Sequence, residues 1–232
     1  TAGIGESWLA DLIKDWENTL PSHIRLAYLP SLGHVKLRLT AFGEDKKVLA
    51  AEVDQQIQNI LPTIRSYVYG YNGETLETAI GKLLKNAGKT LALAESCSGG
   101  YISHLITAVP GCSQYYQGAV VPYHNALKEQ LLGVSSATLA QHGAVSEATV
   151  QEMAIGVKKL FGVDYGLASS GIAGPDGGSP DKPVGTVWIA CAGPDFVEAK
   201  LLQLTQDRMI NIQLTGVAVL NLLRICISKH NK

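Results

Sequence analysis

The chain has 232 residues, 46% of them hydrophobic and 17% charged, a balance that supports a sizeable core and excludes a disordered chain. Nineteen basic against twenty acidic side chains leave a formal charge of -1, which removes any global electrostatic reason to bind a polyanion such as DNA while leaving a small anionic substrate open. The length fits one large domain or, as expected here, a small one followed by a medium one.

The elements follow in chain order. Trp8, Leu9, Leu12, Ile13 and Trp16 recur at helical spacing and predict an amphipathic helix from Glu6 to about Trp16. A β-prone run from Ile24 to Tyr28 and the alternation from His34 to Thr40, with Pro30 and Gly33 between them, predict a hairpin. A second helix is expected from about Lys46 to Leu61, stopping at Pro62, and then a short strand from Ser66 to Tyr69. This is an α-β-β-α-β module. The cluster Tyr69-Gly70-Tyr71-Asn72-Gly73 reads as a joint, which places the domains at 1–72 and 73–232.

Beyond the joint the pattern alternates. Helices are expected at Leu76 to Lys85, Gly99 to Thr107, Asn125 to Leu132, Glu147 to Phe161 and Asp207 to about Ile227. Strands are expected at Thr90 to Ala94, Tyr116 to Val121, Tyr165 to Ser169, Thr186 to Cys191 and Phe196 to Leu204. Strands separated by helices predict a three-layer α/β/α domain behind the small α+β one.

Cys97, Cys112, Cys191 and Cys226 form no CxxC pair and no regular framework, as expected for reduced thiols in a cytoplasm, and no zinc site is suggested. No charged leader precedes an apolar stretch, and no apolar run reaches the roughly 18 to 20 residues of a membrane span. The expectation is a soluble, cytoplasmic protein without a membrane partner. A chain opening on Thr1 rather than methionine is also expected to be a piece of something longer.

Open α/β sheets bind ligands at the carboxyl ends of their strands, where glycine-rich turns gather backbone amides. Leu93-Ala94-Glu95-Ser96-Cys97-Ser98-Gly99-Gly100 and Ser169-Ser170-Gly171-Ile172-Ala173-Gly174-Pro175-Asp176-Gly177-Gly178 both have that form. Each can also be read as a capped, tightly packed turn or a plain surface loop. A serine nucleophile needs a base. His104, His124 and His142 have no evident acidic partner, and each can be structural. Lys128 can serve if desolvation in a cleft lowers its pKa, or it can be an ordinary surface charge. Cys97 is a second candidate nucleophile.

The motifs Ala94-Glu95-Ser96-Cys97-Ser98-Gly99-Gly100, Gly118-Ala119-Val120 with Tyr123 and Lys128, Gly143-Ala144-Val145-Ser146, Ser170-Gly171-Ile172-Ala173-Gly174-Pro175 and Lys182-Pro183-Val184-Gly185-Thr186-Val187 occur in that order. Over about residues 76 to 232 they resemble the C-terminal domain of the CinA (competence/damage-inducible protein A) family, known as nicotinamide mononucleotide deamidase. The resemblance implies an amidohydrolase without metal or cofactor, acting on a small nucleotide, with Ser96 as nucleophile, Lys128 as base and Tyr123 beside it. Amides of Ser98, Gly99 and Gly100 are expected to hold the oxyanion. Ser170, Gly171, Ala173 and Gly174 would position the pyridine or ribose, and Arg208 the phosphate.

Ser98 stands where relatives commonly carry threonine, and His124 where many carry serine or alanine. Gly3-Ile4-Gly5-Glu6-Ser7 followed by Leu26-Ala27-Tyr28-Leu29-Pro30 resembles the KH-like middle domain of the same family. That module has no Gly-x-x-Gly loop flanked by basic residues, and residues 1 to 72 hold seven basic against eight acidic side chains, which argues against nucleic-acid binding. The resemblance further implies a homo-oligomer, a dimer, and in full-length relatives a molybdopterin-binding-like first domain that these residues do not contain. The competing expectation is a non-catalytic competence or DNA-damage accessory module.

Overall fold

The computed structural model describes residues 1–230, and the chain divides into two compact units, Thr1–Gly70 and Tyr71–Lys232. The first is a small α+β unit. Helix α1 (Glu6–Asn18) is followed by β1 (Ile24–Ser31), β2 (His34–Ala41) and α2 (Lys46–Ile64). The hairpin is antiparallel from Ile24↔Ala41 to Ser31↔His34, which leaves a two-residue turn at Leu32-Gly33. Leu9 and Ile13 of α1 pack with Val35, Ile60 and Ile64 into the core of the unit, whereas Trp8 is exposed. Asp45 starts α2 by accepting from the amides of Lys47 (2.8 Å) and Val48 (3.2 Å).

Two expectations fail in this unit. Pro62 does not stop α2, because so close to the helix end it removes one bond of the last turn and no more. The strand expected at Ser66 to Tyr69 does not form. The amides of Tyr67 and Val68 turn back to the carbonyl of Ile64 at 2.9 and 3.2 Å and close the helix, and the Tyr67 carbonyl accepts from Ala2. Ala2 also makes a single antiparallel bridge to His34.

The second unit is an α/β domain. Its elements are α3 (Leu76–Ala87), β3 (Leu91–Glu95), α4 (Tyr101–Thr107), β4 (Tyr116–Val120), α5 (Asn125–Leu132), α6 (Ser136–His142), α7 (Glu147–Phe161), β5 (Tyr165–Gly171), β6 (Thr186–Ala192), β7 (Val197–Gln203) and α8 (Arg208–His230). Helix α6 is short and carries no clear apolar stripe, so the sequence pattern passes over it. The sheet is mixed, in the order β4-β3-β5-β6-β7. β3 runs parallel to both neighbours, while β6 is antiparallel to β5 and to β7.

On one face α7 crosses all five strands and packs beside α5 and α6, and on the other α8 packs with α3 and α4. The core on the α7 side gathers Val150, Met153, Ala154 and Val157 against Ala92, Ala94, Ala168 and Ala190. Small strand residues there let the helix approach closely. Contrary to the expectation that no apolar run is long enough, α8 is by length and composition able to cross a bilayer; 61% of its apolar window is buried within this unit, as in a core helix.

This topology fixes where a site can lie. The chain leaves β3 for α4 on one face and leaves β4 for α5 to α7 on the other, so the carboxyl ends of β3 and β4 open a crevice between diverging connections.

Candidate active site

The turn after β3 is built around Glu95, the last residue of the strand and fully buried. Its Oε2 accepts from Ser98 Oγ (2.9 Å), Gly100 N (3.2 Å) and Ile102 N (2.9 Å), and its Oε1 from Ser103 N (2.8 Å) and Ser103 Oγ (2.5 Å). A carboxylate at the start of α4 satisfies amides that would otherwise be orphaned and complements the helix dipole. Gly100 caps α4 with φ 99°, a left-handed conformation glycine adopts without strain. The turn is thereby rigid, and Ser96 sits on it.

This arrangement takes up two of the three amides expected to hold the oxyanion, those of Gly99 and Gly100. The Gly100 amide is held by Glu95, and the Gly99 amide donates to the carbonyl of Ser96 at 3.3 Å. Ser98 is buried, and its hydroxyl joins Glu95 to Ser169 Oγ (2.8 Å). These residues brace the turn and do not face the cavity, which is lined by Ser96, Cys97, Tyr123, Asn125, Lys128 and residues of the 144–145, 170–173 and 208 segments.

Within that cavity of about 190 Å³ lie the residues expected to carry chemistry. The Ser96 hydroxyl makes no hydrogen bond among the described residues. Lys128 projects from α5 with only 1% of its surface exposed. Its Nζ donates to the carbonyls of Pro122 (2.8 Å) and Tyr123 (3.3 Å). Burial holds its pKa below the ordinary lysine value; the nearby Cys97 pulls the other way. A neutral amine has two N–H bonds and one lone pair. With both N–H bonds directed at the two carbonyls, the lone pair is what remains to face the cavity.

Cys97 shares the cavity, but burial pushes its thiol up to about 11. Ser170 is buried and donates to the Ala144 carbonyl at 2.7 Å, which draws the Gly143-Ala144-Val145-Ser146 motif into the wall. Arg208, at the first position of α8, donates from Nη1 to the Gly174 carbonyl (2.8 Å) and from Nη2 to the Tyr123 hydroxyl (3.1 Å). Asp207 is not its ion-pair partner among the described residues; it caps α8 through the Ile210 amide at 2.9 Å. His124 is likewise an N-cap, accepting from the Ala126 amide.

Two residues escape the sequence reading. Asn125 lines the cavity one helical turn before Lys128, and its position at i−3 was the only available signal. Asn211 is 1% exposed; its Nδ2 donates to the carbonyls of Ala173 (2.9 Å) and Thr205 (3.0 Å), and its Oδ1 accepts from Thr205 N and Oγ1. It clamps the loop that carries Ala173 and Gly174. Asparagine inside an apolar helix was the mark it left in the sequence.

Comparison with known proteins places this geometry. Residues 73–227 match the model of the CinA C-terminal domain, and residues 1–70 that of the damage-inducible protein CinA KH domain. A CinA-like protein of Cytophaga hutchinsonii is 53% identical over 224 residues, which is 97% of this chain and 54% of the relative. One of Amoebophilus asiaticus is 48% identical over 228 residues, again 97% of this chain and 54% of the relative. The chain thus spans about half the length of these relatives. Among solved structures, a competence damage-inducible protein A of Klebsiella pneumoniae superposes with a TM-score of 0.65 at 34% identity, covering 67% of this chain and 96% of that one. A competence/damage-inducible protein of Agrobacterium tumefaciens gives 0.64 at 33% identity, covering 66% and 94%. With both family models matching in order and 97% of the chain aligned to each of these two relatives, the chain belongs to the CinA family, and carries its KH domain followed by its C-terminal domain.

Proposed function

We propose that the second unit is an amidohydrolase that converts nicotinamide mononucleotide and water to nicotinate mononucleotide and ammonia. The observation that carries the reading is the pairing, in one cavity, of a Ser96 hydroxyl that makes no hydrogen bond among the described residues with a Lys128 whose burial holds its pKa below the ordinary lysine value. Ser96 Oγ attacks the carboxamide carbon while its proton passes to Lys128 Nζ. The tetrahedral intermediate collapses as the C–N bond breaks, the leaving nitrogen takes up the proton, and ammonia departs. Water then attacks the acyl-enzyme ester with Lys128 as base and returns Ser96 to its hydroxyl form. No step calls for a metal or a cofactor.

The cavity volume supports a division of the substrate. At about 190 Å³ it falls below the roughly 300 Å³ at which pockets enclose a whole ligand, so it suits the pyridine ring and its carboxamide. Ribose and phosphate extend to the rim, where the exposed Tyr123 and Arg208 stand. Part of the Arg208 fork is already used on Gly174 and Tyr123; its remaining N–H bonds are the phosphate donors. The Cys97 alternative is disfavoured, because a thiol with a pKa of about 11 is almost wholly protonated near neutrality.

The test is ammonia release from nicotinamide mononucleotide by the purified chain, beside Ser96→Ala and Lys128→Ala and with EDTA present. Activity in the wild type, its persistence in EDTA and its loss in both variants is the expected result. No ammonia from folded wild-type protein would sink the reading and shift weight to an accessory, binding role.

A further inference from the structure

The β5 ladder leaves one amide without a partner beside Ser96. Along β5 the even-numbered residues face β6: the Ile172 amide donates to Thr186 O at 2.9 Å, and Ser170 lies opposite Trp188. The odd-numbered residues face β3: the Tyr165 amide donates to Thr90 O at 3.0 Å, and the Ser169 carbonyl accepts from Ser96 N at 3.0 Å. Bonds of a parallel ladder are evenly spaced. Carried on by one rung, the pattern would have the Gly171 amide donate to the carbonyl of Ser96. The chain prevents it. β3 has ended at Glu95, the Ser96 carbonyl accepts instead from Gly99, and the Gly171 amide has no acceptor among the described residues.

That amide is therefore directed toward the β3 side, at the level of Ser96, in a segment that lines the same cavity as Ser96 and Lys128. Unpaired backbone N–H groups in folded proteins are uncommon and costly unless water or a ligand satisfies them. The need for glycine has a separate cause. A Cβ at position 171 would lie 2.6 Å from Val187 Cγ2 and 2.9 Å from Thr186 O, so the missing side chain makes room for β6.

We propose that the Gly171 N–H is the oxyanion donor of the reaction at Ser96, in place of the Gly99 and Gly100 amides that the turn already uses. The inference rests on the amidohydrolase reading above. As Ser96 Oγ bonds to the carbonyl carbon, the C=O electron pair moves onto oxygen, and the Gly171 N–H donates to that oxygen until the pair returns and expels ammonia. A donor fixed by the sheet and without a partner in the free protein needs no rearrangement to act.

The test replaces Gly171 with glycolic acid, which turns the peptide N–H into an ester oxygen and adds no atom to meet Val187. The same backbone replacement at Leu167, whose N–H faces β3 inside the ladder, serves as control. At position 171 kcat for ammonia release falls about 10²- to 10³-fold, the usual loss for one oxyanion donor, with KM changed less than about threefold. The melting temperature stays at the wild-type value at 171 and drops at 167. An active wild type whose 171 ester retains kcat within threefold overturns this inference alone. A melting drop at 171 equal to that at 167 also overturns it, since the amide would then be bonded in the free protein. A wild type that releases no ammonia overturns the amidohydrolase reading and this inference together.

Discussion

Replacing Glu95 with glutamine tests whether the residue next to the nucleophile is a brace or a chemical participant. The carboxylate receives five donors in a fully buried setting. A glutamine oxygen can keep the three donors at the Oε2 position, which puts the amide NH₂ against Ser103. Ser103 Oγ can reverse and accept, although it already accepts from Tyr116 at 2.7 Å. Ser103 N–H cannot reverse, and a buried donor without an acceptor costs about 1 to 3 kcal/mol. The three surviving bonds change from charge-assisted to neutral, each weaker by up to about 1 kcal/mol and not fully additive. The net loss is about 3 kcal/mol, or roughly 6 to 12 °C for a unit of this size. Thermal unfolding of Glu95→Gln followed by circular dichroism measures it, with ammonia release assayed well below the transition. A melting shift under about 2 °C together with abolished turnover would refute the brace and make Glu95 a participant in the chemistry.

Lys128 predicts a definite sign of pH dependence. Its folded pKa lies below the ordinary value, so turnover rises with pH through that lowered pKa as the amine becomes neutral. Between the folded pKa and the ordinary value the unfolded chain holds a proton that the folded chain lacks, so stability also rises with pH across that window. Urea unfolding of wild type and Lys128→Met from pH 7 to 10 checks it, because the variant loses this slope. Iodoacetamide at neutral pH is expected to label half-buried Cys112 and spare Cys97, with its pKa of about 11, leaving activity intact. Peptide mapping that finds Cys97 modified first, with turnover lost, would contradict this. Gly156→Ala is expected to cost about 2 to 3 kcal/mol, because a Cβ on α7 would meet the Leu132 carbonyl of α5 at 2.0 Å and backbone cannot yield as a flexible side chain does. Denaturant melts without a lowered midpoint would show that the two helices can part cheaply.

What the sequence displayed depended on how locally each feature is determined. The alternation of β-prone runs and amphipathic stripes marked every strand of the second unit, most clearly β3, β5 and β6, which have neighbours on both sides and bury nearly every residue. The expected strand at Ser66 to Tyr69 failed because its amides were claimed by the Ile64 carbonyl, a competition that β propensity does not register. Helix α8 was legible from Asp207 to about Ile227, but Asn211, Thr215, Asn221 and Arg224, polar residues buried in an otherwise apolar element, hid that it is long and apolar enough to cross a bilayer.

The site divides in the same way. Ser96, Lys128, Tyr123, Ser170 and Arg208 belong to short motifs, and the sheet brings them together at the ends of four strands. The availability of a backbone donor is different, since it depends on which partner each amide has already found. Ser98-Gly99-Gly100 has the composition of an anion-binding turn, yet an acidic residue three positions earlier fills it from within. Gly171 shows no such composition. Its amide has no acceptor among the described residues because β3 stops one rung short of β5, and strand register is not written in either segment alone. In a sheet-based site, side chains can be nominated from motifs, whereas the backbone groups that act beside them are found by asking where each ladder ends.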